Sequence, residues 1–337
     1  MPDNQQDERV FSSTLRKYSL RVLRHENSIL VIVLIALMGA LSAITGGVFF
    51  SAINMRNILL QSSILGVAAV GQAFVILSAG IDLSVGGVGQ MMAILGAVLL
   101  TGEPGYLGNG GIPLAAGIII VLLAGAGMGS SNGALVSRLN LSPLIVTLGI
   151  WQFAKGAAFQ FSKEGETIHD LPRSLSFLGQ GNIAGVPVPS ILFIVAIVIG
   201  FIVLNYTRFG RSVYTVGGNE VSAWLSGIKT KNIRFWVYVI SGFCAAIGGL
   251  IQISRIMGAN VAVLYGLELD SIAAVVIGGV SIFGGKGSMI GVLIGVLILG
   301  VINNGMNLMG LNPQMKLLVR GGLILAAVAI DALRRRR

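Results

Sequence analysis

The 337-residue chain is 54% hydrophobic and only 11% charged, more apolar surface than a soluble globule of 35.1 kDa can enclose. Its net charge of +10 sits in short loops beside apolar runs, where anionic headgroups and the insertion machinery read it, so nucleic acid is excluded as a partner. A lone cysteine, Cys244, rules out an internal disulfide framework and argues against a thiolate metal site.

A helix needs about 20 apolar residues to cross a bilayer, and ten runs answer to that description. In chain order, spans are predicted near Ser28 to Phe50, Asn57 to Ala79, Val85 to Leu100, Ile112 to Val136, Pro143 to Phe161, Pro189 to Tyr206, Arg234 to Ser254, Asp270 to Phe283, Ser288 to Asn307 and Gln314 to Ala332. The first follows a polar segment, 1–27, and is too long for a signal-peptide core, so it is read as a retained span. The third and eighth are short and broken by glycine, which suits helices enclosed by others. A charged loop, 207–231, divides the spans, and a basic tail, 333–337, ends the chain.

An even number of spans puts both termini on one side. With that side cytoplasmic, sixteen lysines and arginines lie inside, five outside, and Lys155 and Arg320 within spans, as the positive-inside rule requires.

Four short matches recur in the same order in spans two to five and seven to ten. Ala68-Ala69-Val70-Gly71 echoes Ala245-Ala246-Ile247-Gly248, and Leu83-Ser84-Val85 echoes Asp270-Ser271-Ile272. Asn132-Gly133 echoes Asn304-Gly305, and Leu141-Ser142-Pro143 echoes Leu311-Asn312-Pro313. Five spans separate the members of each pair, so the halves would enter the membrane from opposite sides as an inverted repeat. Gly125, Gly129 and Gly133, and likewise Gly287, Gly291 and Gly295, recur every fourth residue and form smooth ridges for close helix contact.

Enzymatic constellations are missing. His25 and His169 fall on opposite sides of the predicted membrane, and no Gly-x-Ser-x-Gly occurs. The run Gly284-Gly285-Lys286-Gly287-Ser288 imitates a phosphate loop but has Val280 and Gly287 where that loop needs Gly and Ser or Thr. In the charged loop, Asn219 is placed to cap a short helix starting near Glu220, and Gly227 to close it. Small and polar residues on this helix suit a docking knob on the cytoplasmic face; the alternative is a helix lying on headgroups.

The stretches Gly80-Ile81-Asp82-Leu83-Ser84-Val85-Gly86, Thr207-Arg208-Phe209-Gly210-Arg211, Val216-Gly217-Gly218-Asn219-Glu220, Leu225-Ser226-Gly227-Ile228, Glu268-Leu269-Asp270-Ser271-Ile272-Ala273-Ala274 and Gly278-Gly279-Val280-Ser281 with Phe283 to Ser288 resemble the permease subunits of ribose, xylose and galactoside ATP-binding-cassette importers. The resemblance runs from about Asn57 onward. It implies an all-α fold of ten spans like that of the vitamin B12 permease and a second permease subunit around a shared path. It also implies two cytoplasmic ATPases that bind the ATP and magnesium, an external sugar-binding protein, and no cofactor on this chain. It makes Gly217, Gly218, Asn219, Glu220, Ala223 and Gly227 the surface that meets the ATPase. Two departures stand out: Ala79 where glycine is usual, and Trp224 where a polar or basic residue is common.

Asp82 either faces a cavity or caps the third helix, the cap being preferred, and Ser84 shares that choice. Gln72, Asn132, Asn303 and Asn304, with Gln61, Gln90, Gln152, Lys155, Asn307 and Arg320, are the remaining costly polar groups within spans. A neutral sugar needs scattered, weak hydrogen-bond partners along its passage, so Asp82, Ser84, Gln72, Asn132, Asn303 and Asn304 are the candidates for the path. Each also serves as an interhelical hydrogen bond. The span map puts no carboxylate at the midplane, which disfavours an ion-coupled carrier. A branched-chain amino-acid permease of the same broad superfamily is the nearer rival, but its zwitterionic cargo calls for charged partners in the path, and few are available.

Overall fold

The computed structural model describes residues 26–107 and 112–335; most of the polar segment 1–27 and the last two arginines of the tail lie outside the described residues. Thirteen α-helices occur among them: α1 (Glu26–Ile44), α2 (Ala52–Leu77), α3 (Val85–Leu100), α4 (Leu114–Ser137), α5 (Pro143–Phe161), α6 (Ser176–Gln180), α7 (Val188–Tyr206), α8 (Arg208–Gly218), α9 (Glu220–Leu225), α10 (Thr230–Ile256), α11 (Leu267–Ile277), α12 (Met289–Leu308) and α13 (Pro313–Arg335). A two-stranded hairpin, β1 (Asn182–Ile183) with β2 (Val186–Pro187), follows α6. The chain is an all-α polytopic membrane protein, with α1, α2, α4, α7, α10 and α12 long and apolar enough to cross a bilayer.

The third and fifth predicted spans coincide with α3 and α5, and other boundaries move for local reasons. Helix α2 starts five residues ahead of the prediction, at Ala52, because the Ser51 hydroxyl accepts from the Asn54 N–H at 3.3 Å and caps it. Helix α1 stops at Ile44, ahead of a turn at Gly46 and Gly47, both at positive φ. Helix α11 runs from Leu267 to Ile277 in place of 270–283, and Gly279, at φ 84°, turns the chain out of it.

Helix α10, 27 residues long and so about 40 Å, is the central post. It packs on α2, α3 and α4, while α2 packs on α10, α11 and α12, so each post gathers three helices from the opposite half of the chain. The first glycine ridge answers which helix it meets. A Cβ at Gly125, Gly129 or Gly133 would strike the backbone carbonyl of Gly242, Tyr238 or Phe235 on α10, and the Arg138 guanidinium closes the seam 5.5 Å above the Phe235 ring. In the second ridge only Gly291 and Gly295 belong to a helix, meeting the Gly278 and Ala274 carbonyls around α11. Gly287 precedes the Ser288 cap, at φ 142°.

The two short helices begin deep inside the bundle. Gly89 of α3 lies against the Ala245 carbonyl, near the middle of α10, and a side chain at Gly86 would overlap the Glu268 carboxylate in the first turn of α11. From that meeting point α3 climbs along α10 until Gly96 touches Ile253, whereas α11 runs the other way to Gly278 beside Gly291. The expectation of no carboxylate at mid-depth therefore fails. The chain folds back after Met257, and the re-entrant segment carries Glu268 inward.

Candidate functional site

The charged loop folds into two helices, of which only the second was legible in the sequence. Thr207 caps α8 through its hydroxyl on the Gly210 N–H at 3.1 Å. The Asn219 Oδ1 accepts from the Ser222 N–H at 2.9 Å and starts α9. Gly227, at φ 80°, ends it, with its N–H on the Trp224 carbonyl at 2.9 Å and that of Ile228 on Ala223 at 3.1 Å. The Glu220 carboxylate is held by the Arg234 guanidinium at 3.1 and 3.2 Å, which braces α9 against the first turns of α10.

Gly218, Asn219, Glu220 and Gly227 are exposed, but Gly217 and Ala223 lie beneath the surface they were expected to form. The small-and-polar description of α9 also needs correction. Val221, Trp224 and Leu225, at i, i+3 and i+4, are 66%, 66% and 72% exposed and make one apolar ridge.

Gly217 is buried because its backbone lies on the Leu77 carbonyl and the Gly285 N–H. The run that imitates a phosphate loop is thus a structural wedge. The Gly285 N–H donates to the Leu77 carbonyl at 2.9 Å, the Tyr214 hydroxyl of α8 to the Gly287 carbonyl at 3.0 Å, and the Ile282 N–H to the Asp331 carboxylate of α13 at 3.1 Å. Burial in this contact pushes the Tyr214 phenol above its ordinary value. Ala79 stands beside the wedge at φ 61°, a left-handed conformation that costs a side chain roughly 1–2 kcal/mol. Replacing Ala79 by glycine is expected to raise unfolding stability by about 1 kcal/mol, read as a higher midpoint in thermal denaturation of the purified protein; an unchanged or lower midpoint contradicts this.

Four of the six candidate path residues converge in one buried cluster. One oxygen of Asp82 accepts from the Ser84 N–H at 2.8 Å and the Ser84 hydroxyl at 2.6 Å, and the other from the Ser241 hydroxyl of α10 at 2.7 Å. Ser84 in turn accepts from the Asn132 amide of α4 at 2.7 Å. The Gln72 amide, with its nitrogen toward the Asp82 carbonyl (3.0 Å) and its oxygen toward the Asp82 N–H (3.3 Å), holds the backbone from α2. Asp82 does not cap α3 through the second or third N–H; it binds the residue in front of the helix and ties that turn to α10. Among the described residues no cation pairs with it.

Asn304 is bound elsewhere, in a reciprocal amide pair with Asn54 at 2.7 and 3.0 Å. Asn54 went unnoticed because α2 was expected to begin after it. Asn303 opens on a cavity of about 360 Å³, lined also by Gln61, Gln252, Arg255, Tyr265, Asp270, Asn307, Lys316 and Arg320. There Arg320 lies 3.3 Å from the Asp270 carboxylate, and Lys316 donates to Asn307 at 2.6 Å. These groups come from five helices and the turn before α11, and no local pattern could have assembled them. Of the other polar residues within spans, Gln90 donates to the Val261 carbonyl and Lys155 lies over Trp151.

A polar cavity thus lies among the membrane helices, and an apolar ridge on a braced helix lies at the other end. Residues 54–328 match the family model described as the branched-chain amino acid transport system / permease component, and the chain belongs to that family of transport permeases. It is 38% identical over 285 residues to the ribose import permease protein of Bacillus subtilis, covering 84% of this chain and 86% of the relative. With the fructose import permease protein of Rhizobium meliloti the identity is 40% over 309 residues (89% and 84% covered). With the D-allose transport system permease protein of Escherichia coli it is 36% over 301 residues (89% of each). No solved structure was found to match.

Proposed function

We propose that this chain is the permease subunit of an ATP-binding-cassette importer that carries a neutral monosaccharide, of the ribose, xylose or galactose kind, into the cytoplasm. The observation that carries the reading is the apolar ridge Val221, Trp224 and Leu225 on the capped helix α9. An apolar face on a short helix clamped by Glu220 and Arg234 fits the cleft of a soluble motor better than it fits water. One of two cytoplasmic ATPases docks there, the other docks on a second permease subunit, and the two bind the ATP and magnesium. That second subunit completes the path, and an external sugar-binding protein delivers the cargo.

In this reading the chain crosses a bacterial inner membrane ten times, with a fold like that of the vitamin B12 permease and both termini inside. Helices α2 to α5 and α10 to α13 form the inverted halves. The exchanged packing of α2 and α10, and the opposed short helices α3 and α11, support that symmetry. A push on α9 passes through α8 to the wedge at Gly284 and Gly285, and the wedge is the direct continuation of α11. Asn303 meets cargo from the cavity wall, whereas Gln72, Asp82, Ser84, Asn132 and Asn304 hold the walls in register.

The family description and the ion pair Asp270–Arg320 favour a second reading, an amino-acid cargo. The sugar reading leads because the relatives similar over most of the chain import sugars by name. Uptake by vesicles holding this permease, its ATPase and its binding protein decides between them. ATP-dependent uptake of ribose or fructose, uninhibited by leucine, is expected; uptake of leucine with none of either sugar would reverse the assignment.

A further inference from the structure

The first turn of α11 carries two carboxylates on opposite faces, since residues two apart on a helix diverge by about 200°. Asp270 points into the cavity and is neutralised by Arg320. Glu268 points away from it, toward α3 and α5. Gly86 and Gly87, opening α3, have no side chains, and a Cβ at the first would overlap the Glu268 carboxylate while one at the second would press 2.8 Å from the Trp151 carbonyl. The glycine pair thus leaves a cradle into which α11 and α5 lower their polar groups.

Four side chains gather there. The Lys155 ammonium lies 4.3 Å from the centre of the Trp151 ring and 5.7 Å from that of Tyr265. Glu268 is within reach of both the Trp151 indole and the Lys155 charge. Tyr265 is 71% exposed, and Trp151, Lys155 and Glu268 are half-buried, so the cluster is open on one side. Tyr265 also lines the cavity, which makes the two polar regions continuous around the start of α11.

A structural cluster at this depth would be closed. Charged groups inside a membrane protein are costly and turn toward partners or water-filled space, and here a cation, a carboxylate and two aromatic faces remain partly uncovered where the two short helices meet. We propose that Trp151, Lys155, Tyr265 and Glu268 form a mid-membrane contact station for a neutral polyhydroxylated ligand. The inference rests on the sugar-importer reading and adds a place and a chemistry to it. The C–H face of a sugar ring stacks on the open Tyr265 ring, Glu268 accepts from one or two hydroxyls, and Lys155 donates to another. The site has one charge of each sign and no net charge, so it holds the ligand by hydrogen bonds and contact area, weakly enough for release.

The station is tested on the whole permease in lipid nanodiscs, with Trp224→Phe and Trp236→Phe leaving Trp151 as the only tryptophan. Ribose, fructose and leucine are the probes, and Trp151 emission is the signal. A saturable change with ribose or fructose at millimolar concentration is expected, shifted at least tenfold to weaker binding by Lys155→Met and by Tyr265→Leu, largely restored by Lys155→Arg, and absent with leucine. No response to either sugar, an equal response to leucine, or sugar titrations unmoved by both Lys155→Met and Tyr265→Leu would overturn it. If the importer reconstituted with the permease that keeps Trp224 and Trp236 takes up sugar while Trp151 of the single-tryptophan protein stays silent, the station falls and the importer reading stands. If it takes up no sugar, both fall.

Discussion

Leu225→Asp is expected to release the ATPase and so to stop transport while leaving the permease folded and in the membrane. Leu225 is 72% exposed and its neighbours on the ridge, Val221 and Trp224, are each 66% exposed, so the aspartate meets water in the isolated subunit and costs the fold little. In the assembled complex it would put a charge against a desolvated apolar contact. Loss of an anchoring contact at the centre of such an interface is worth 2 kcal/mol or more, about thirtyfold in affinity. The affinity of the ATPase for the variant should fall by that factor, with less ATPase co-purified and slower uptake. Trp224→Ala should act in the same direction through lost area alone. Full retention of the ATPase by both variants would remove α9 as the docking element.

The second large effect is on stability. Asp82→Ala removes the acceptor for the Ser84 N–H, the Ser84 hydroxyl and the Ser241 hydroxyl, all in the protein interior. Leaving buried donors without partners costs about 1–3 kcal/mol each, so the variant should lose at least about 3 kcal/mol. Asp82→Asn keeps one acceptor oxygen and should lose about a third of that. The free thiol of Cys244, buried against α2, supplies the readout, because a thiol-reactive dye labels it only as the bundle opens. A labelling midpoint for Asp82→Ala equal to that of the unsubstituted protein would show that the cluster is not a structural tie.

Most of the helical plan was legible because an apolar run long enough to span lipid has few other readings. Val85–Leu100 and Pro143–Phe161 were placed to the residue, one stopped by polar or glycine-containing turns and the other opened by Pro143. The short helix α9 was also legible, since its cap, Asn219, and its terminator, Gly227, are neighbours in sequence. What stayed hidden was set by contacts distant in sequence. Helix α8 has the composition of a loop and is held by Phe209 against Phe74 and by Tyr214 on Gly287. Ser241 and Asn54 gain meaning only from partners 159 and 250 positions away. The mid-depth position of Glu268 follows from the re-entrant segment after Met257, which a map of spans drawn end to end cannot contain.

The central claim is that a bundle of membrane helices presents the segment between α7 and α10 to a motor on the cytoplasmic side. Replacing Cys244 by alanine and Ser222, exposed on α9, by cysteine leaves one reporter thiol at the docking surface. A membrane-impermeant maleimide should label it in inside-out vesicles and not in intact cells. Labelling of intact cells at that position, with none in inside-out vesicles, would contradict the account.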